Sequence, residues 1–190
     1  MHPLVYQLRF ARSEFMRCLE GLSAEDAVRR VMPMNSITWM IGHMANQEQR
    51  YYLDFPGREL VAPGLVERVG TGRPASTPPL DEMLSIWQGV TRAADAYLDA
   101  LTPADLLTYH TYRGKTVPES VGTLIQRNLY HYWFHTGEAH AARQVLGHPD
   151  LPQFVGEMND APYRPEEYLP GPQVRDDDEA ALAKAAGDIG

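Results

Sequence analysis

Apolar side chains recur every three or four residues in four long stretches of the chain, which is the spacing of an amphipathic α-helix. The stretches cover approximately residues 3–22, 35–55, 80–101 and 120–146. The second stretch begins with Asn35 and Ser36 and the fourth with Ser120, which are residue types that cap helices. Gly147 and Pro149, which are typical stop signals, follow the fourth stretch. The pattern predicts an all-α fold, a four-helix bundle with a long loop between the second and third long helices.

The connecting segments carry residues that break helices. Residues 56–79 are rich in Pro and Gly, which predicts the long loop. Residues 108–118 alternate in polarity around Gly114, which favours an irregular excursion or a short hairpin. A short helix is weakly indicated after Ser23 and must end before Pro33, because proline cannot continue a helix.

Length and composition are those of one ordinary globular domain. The chain has 190 residues, of which 44% are hydrophobic and 22% are charged. We expect residues 1–150 to form the bundle, which is long enough to bury its own core. Residues 151–190 are rich in proline and then acidic, so we expect an irregular C-terminal tail, an extension that packs on the bundle or is partly mobile.

Charge and cysteine content exclude several classes of partner. The net charge is -8 and the sequence has no cluster of Lys and Arg, so we expect no nucleic-acid partner and no anionic membrane surface. No apolar run is long enough to span a membrane. The single cysteine, Cys18, lies beside the apolar stripe of the first helix and excludes an intrachain disulfide. We therefore expect a packed thiol in a cytoplasmic protein.

The strongest chemical signal is a pair of histidines one helical turn apart, His131 and His135, in the last predicted helix. Four residues turn a helix by about 400°, so both side chains leave nearly the same face and can share one divalent metal ion. His43, among apolar neighbours in the second helix, is the best candidate for a third ligand. Three imidazoles with an open coordination position are typical of catalytic zinc sites. From each helix alone, a histidine packed in the core is an equally good interpretation.

Two motifs extend this interpretation to a known family. Residues 35–43, NSITWMIGH, resemble the second-helix signature of the DinB-like (YfiT-like) superfamily. Residues 131–138 are similar to the closing motif of that superfamily, usually H-x-x-x-H-R-G-Q. The resemblance covers about residues 3–148. It implies the four-helix fold and a divalent metal ion, most often zinc or nickel, with three ligands: His43, His131 and His135.

The resemblance also implies a function. Some members are bacterial thiol S-transferases that use bacillithiol or mycothiol, and many have no assigned activity. We therefore expect a metal-dependent thiol S-transferase with a small-molecule substrate and a low-molecular-weight thiol, in a protein that the resemblance implies is a homodimer. A metal-dependent hydrolase and a non-catalytic metal-binding module of the stress response remain as alternatives. Thr136 and Glu138 replace the Arg and Gln usual in the motif, so no particular family activity follows.

Few other residues are candidates for chemistry. Glu138 and Glu48 lie near the expected ligands in sequence and could act as a base or orient a ligand, although a solvated carboxylate is the simpler interpretation of each. Gln47, one turn after His43, is a plausible supporting residue for a ligand. Three further histidines are expected at the surface or at a helix end: His110, His140 and His148.

Overall fold

The computed structural model describes residues 2–163 and confirms the all-α four-helix bundle. The long helices are α1 (Pro3–Cys18), α3 (Ile37–Gln49), α5 (Leu80–Leu98) and α6 (Val121–Val145). The connections contain the short helices α2 (Ala24–Val28) and α4 (Leu65–Val69) and the strands β1 (Tyr109–Tyr112) and β2 (Lys115–Ser120). A π-helical turn at Arg50–Asp54 extends α3, and single 3₁₀ turns lie at Asp105–Leu107 and Met158–Asp160.

The core lies between the four long helices. α1 packs against α6, and α3 packs against both α5 and α6. Every long helix contributes side chains without exposed surface to one apolar cluster: Leu8 and Phe15, Met40 and Met44, Met83 and Val90, Ile125 and Tyr132. Because burial of these side chains holds the inner faces of α3 and α6 together, polar groups on those faces are shielded from water.

The predicted helix starts are confirmed by their side-chain caps. Ser36 accepts a hydrogen bond from the backbone N–H of Trp39 at 3.2 Å, which begins α3. Ser120 does the same for the N–H of Thr123 at 3.3 Å, which begins α6. These caps satisfy N–H groups that have no partner inside the helix, and they define the register in which the histidines of α3 and α6 face inward.

The excursion between α5 and α6 is a short hairpin. β1 and β2 pair antiparallel, with Thr111 opposite Thr116. The turn residues Arg113 and Gly114 have φ values of 51° and 74°. Two consecutive residues in the left-handed region give a turn whose twist matches that of paired strands, and glycine adopts this conformation without strain.

The long loop contains a helix that the sequence pattern did not predict. α4 has five residues, and it buries Leu65 and Val69 against the bundle. Gly64 and Gly70 bound it, and Gly64 has a φ of 80°. Two apolar positions in a segment flanked by glycines are too few to produce a helical period, so the sequence pattern predicted the long connection but not the short helix within it.

The described part of the C-terminal extension lies along α1. Tyr6 donates a hydrogen bond to the carbonyl of Asp160 at 2.6 Å, and Arg17 donates to the carbonyl of Gln153 at 2.8 Å. Glu14 accepts from the backbone N–H of Gly156 at 2.7 Å. The acidic and alanine-rich stretch at the end of the chain lies outside the described residues.

Candidate metal centre

His131 and His135 project from successive turns of α6 toward α3. Their Nε2 atoms lie 2.9 Å apart, and their ring centroids are 4.5 Å apart. When both rings carry their proton on Nδ1, the two Nε2 lone pairs face each other with no proton between them. A cation between the rings would compensate both, which makes this pair a suitable half of a metal site.

His43 comes from α3 and completes the cluster. Its ring centroid lies 5.0 Å from that of His131 and 5.3 Å from that of His135. One nitrogen of each of the three rings lies within 4.8 Å of the other two. Trp39, one turn earlier, stacks on the His43 ring with a centroid distance of 4.4 Å and an interplanar angle of 11°. The structure thus brings together the three histidines that the sequence predicted, from two facing helices.

Helix α4 determines which nitrogen of His43 faces the cluster. His43 Nδ1 lies 2.8 Å from the backbone carbonyl oxygen of Val69 and donates a hydrogen bond to it. The proton on Nδ1 leaves Nε2 with a free lone pair. Metal-binding histidines commonly have their second nitrogen held in this way, because the contact fixes both the tautomer and the ring orientation.

Gly42 permits the close approach of α4 and α5 to α3 beside His43. A Cβ at this position would lie 2.6 Å from Met83 Sδ and 3.1 Å from Val69 Cγ1. The first distance is far below van der Waals contact, so any larger residue would push α3 away from its neighbours. The glycine before His43 is therefore needed for the Val69 contact.

Glu138 lies against the outer side of His135. Its Oε2 is 2.7 Å from His135 Nδ1, although the contact is not aligned as a hydrogen bond. A carboxylate in this position favours a proton on Nδ1 and makes Nε2 a stronger electron donor toward a metal. Of the two roles considered for Glu138, the geometry supports orientation of a ligand.

Burial keeps His131 and His43 neutral, which is the state that binds metal. Desolvation lowers the pKa of His131 to about 3, with smaller contributions from His135 and His43. Desolvation also lowers the pKa of His43, an effect partly opposed by its hydrogen bond to Val69. His131 Nδ1 is buried without a hydrogen-bond partner among the described residues, so a proton there gains no stabilisation from the protein.

Glu48 belongs to a buried polar cluster that joins all four long helices. The Arg12 guanidinium of α1 forms a bidentate ion pair with Glu48, with Nε 2.8 Å from Oε1, and also contacts Asp95 Oδ1 of α5 at 2.7 Å. Tyr132 of α6 donates to Glu48 and accepts a hydrogen bond from Trp87 Nε1 at 2.8 Å. Both oxygens of Glu48 have these partners. This carboxylate is therefore a buried group of the core and is not free to act as a base.

The other histidines and the cysteine lie in separate surroundings. His140 packs edge-on against Phe154 with a centroid distance of 5.4 Å. His110 lies 3.1 Å from the Tyr97 hydroxyl, and His148 lies 3.0 Å from Arg143 Nε. Cys18 is buried, and desolvation raises the pKa of its thiol to about 11, which agrees with a packed thiol and not with a nucleophile.

A cleft of about 550 Å³ opens beside the histidine cluster. Its wall consists of side chains from the end of α3, its π-helical extension and one face of α6: Gln47, Tyr51, Thr123, Gln126, Arg127, Tyr130, His131 and Phe134. His131 is thus shared between the cluster and the cleft. Gln47 also donates a long hydrogen bond of 3.5 Å to Asn128 of α6.

Comparison with known families identifies the family to which the chain belongs. The sequence matches the DinB superfamily over residues 7–139, a span that includes α3, α5, most of α1 and α6, and the three clustered histidines. The chain belongs to the DinB superfamily. No curated protein matches it. No helix in the described part of this DinB protein has the length and apolar character needed to cross a membrane.

Sequence reasoning missed two groups that support the centre. The Val69 contact uses a backbone carbonyl, so no side-chain pattern could signal it. The ion pair of Arg12 with Glu48 joins residues 36 positions apart. Each of those residues lies among apolar neighbours in a helical stripe, and that placement was the available signal for a buried pair.

Proposed function

We propose that His43, His131 and His135 bind one divalent metal ion, zinc or nickel, and that the protein is a metal-dependent thiol S-transferase. The observation that carries the proposal is a cluster of three imidazoles with one member in the wall of an open cleft. When bound, such an ion supplies positive charge that lowers the pKa of a thiol and stabilises the thiolate. In the transfer reaction the thiol proton goes to solvent and the sulfur forms a bond to an electrophilic carbon. The bond from that carbon to its leaving group breaks, and the leaving group departs with the bonding electron pair.

The residues around the cluster support an open site over a closed structural one. No Asp, Glu or Cys in the described residues joins the three histidines as a fourth ligand. Closed structural zinc sites have four protein ligands, whereas catalytic sites keep one position for substrate. Val69 and Glu138 act on the ring nitrogens that face away from the cluster and hold two of the rings in place.

A thiol as the nucleophile fits this site better than water does. A hydrolase needs a base beside the attacking water. Glu48 is committed to Arg12 and Tyr132, and Glu138 contacts the outer nitrogen of His135. A thiol depends less on such a base, because its ordinary pKa of about 8.5 lies far below the value of about 15.7 for water before a metal ion acts on either. A metal-binding protein without turnover is the remaining alternative, and the homodimer and cytoplasmic location stay predictions.

Cobalt substitution tests the proposal. We expect the metal-free protein to bind one equivalent of Co²⁺, and addition of a small thiol to produce a thiolate-to-cobalt absorption band. His131→Ala should abolish the band, whereas His140→Ala serves as the control because His140 lies outside the cluster. The zinc- and nickel-loaded proteins are then screened with low-molecular-weight thiols and electrophiles for loss of free thiol. Absence of both the band and any thiol consumption would contradict the transferase assignment.

A further inference from the structure

Most side chains that line the cleft beside His131 carry no charge. Amides and a hydroxyl line part of its wall, namely those of Gln47, Gln126 and Thr123. Arg127 is the only Lys, Arg, Asp or Glu among the described residues of the wall. A ligand in the cleft therefore meets neutral hydrogen-bonding groups and one guanidinium.

Glu119 pairs with that guanidinium from outside the cleft wall. Arg127 Nε lies 3.0 Å from Oε1 and 2.8 Å from Oε2 of Glu119, and a second guanidinium nitrogen also contacts Oε1. The hydrogen bonds from Arg127 hold the pKa of the Glu119 carboxyl below its usual range, so the carboxylate is charged at neutral pH. Since the pair has no net charge and Glu119 occupies the bidentate face on the Nε side of Arg127, a ligand carboxylate gains less there than at an unpaired guanidinium.

The remaining wall offers aromatic surface. Tyr130 and Phe134 are one turn apart on α6 and expose 65% and 61% of their surface. Tyr51 lies across from them on the π-helical extension of α3 and is half-buried. Exposed aromatic side chains that converge on one cleft are suited to contact a flat apolar or aromatic ligand group.

We propose that the cleft binds the non-reacting part of the substrate as an uncharged, flat group, aromatic or amide-bearing, and that Glu119 determines this preference by neutralising Arg127. The inference rests on the proposed function for the reacting end of the substrate. The preference for an uncharged group arises from the side chains of the cleft and not from a metal ion. It can therefore be tested on protein without metal, where the charge of a metal ion does not attract carboxylates.

The probes are naphthamide and naphthoate, which have the same ring system and differ in the charge of one substituent. Binding to the full-length metal-free protein is followed by NMR titration, with the side-chain amide signals of Gln47 and Gln126 as reporters. We expect naphthamide to bind at least about threefold more tightly than naphthoate to the wild type. Glu119→Gln frees the guanidinium, so the ratio should shift toward naphthoate by about threefold to tenfold.

Glu20→Gln is the matched control, because it removes the same charge from an exposed residue that does not line the cleft. It should leave the ratio of the two affinities unchanged. Equal affinities in the wild type, the same ratio in Glu119→Gln, or no binding of either probe would each overturn the inference. Cobalt and thiol titrations of the same proteins report on the proposed function separately. A normal thiolate band with no charge preference would reject only the inference. A charge preference with neither the band nor any thiol consumption would reject only the transferase assignment.

Discussion

Gly42→Ala is the substitution that connects core packing most directly to the metal centre. The added Cβ would lie 2.6 Å from Met83 Sδ, more than 1 Å inside the contact distance of about 3.8 Å between carbon and sulfur, and 3.1 Å from Val69 Cγ1. Met83 and Val69 are fully buried, so neither can move into solvent. Overpacking of this kind costs about 1–3 kcal/mol.

The same displacement should weaken metal binding. The flexible Met83 side chain can absorb part of the overlap, and α3 relieves the rest by moving away from α4 and α5. This movement lengthens the 2.8 Å contact between His43 and the Val69 carbonyl. Loss of a contact that orients a metal-binding histidine typically costs 10–100-fold in affinity, so we expect a decrease of about tenfold or more. Urea unfolding of the metal-free protein gives the stability, and competition with a chromophoric chelator gives the zinc affinity.

Gly137→Ala provides the control for Gly42→Ala. Gly137 lies in α6, two residues after His135, and a Cβ there meets no atom within 4 Å. Alanine should therefore stabilise the helix by about 0.5–1 kcal/mol without a change in zinc affinity. If Gly42→Ala left both stability and zinc affinity as in the wild type, the reasoning that α4 positions His43 would be refuted.

Three further predictions follow from the polar contacts. Glu138→Gln should lower zinc affinity by about 10–100-fold in the chelator competition, because the carboxylate that strengthens His135 is lost; an unchanged affinity would argue against this role. Glu48→Ala leaves the Arg12 guanidinium buried without its main partner and should destabilise the protein by about 3–5 kcal/mol in urea unfolding. A change below about 1 kcal/mol would mean that water reaches the pair. The metal-free protein should lose stability as the pH falls below 6.5 toward 3, because the unfolded state protonates His131 at its ordinary pKa while the folded state does so only at about 3. His131→Phe should flatten this pH dependence, and an equally steep profile in that variant would contradict it.

The fold was predictable because its signals are local. The apolar period of the four long helices and the caps at Ser36 and Ser120 depend on neighbours in sequence, and both are present in the structure. The hairpin could be anticipated from Gly114 for the same reason. α4 was missed because its stability comes from tertiary burial of Leu65 and Val69 and not from a helical pattern of its own.

The predictable part of the candidate site is the pair of ligands that are spaced by one helical turn. His131 and His135 share a face of α6 by geometry alone. His43 was a candidate because of its apolar neighbours, and the resemblance to a family strengthened its assignment opposite them. The orientation of each ring depends on groups that no spacing reveals, such as the Val69 carbonyl. Side chains that approach only after folding, such as Glu119 and Arg127 at the cleft, could not be assigned a role from sequence.

X-ray absorption spectroscopy of the zinc-loaded protein tests the central claim most directly. Multiple scattering from imidazole rings counts the histidine ligands of a bound metal ion. We expect three imidazole nitrogens at about 2.0–2.1 Å from one zinc ion, with the count reduced to two in His43→Ala. A wild-type spectrum without imidazole scattering, or an unchanged count of three in His43→Ala, would contradict the three-histidine metal centre.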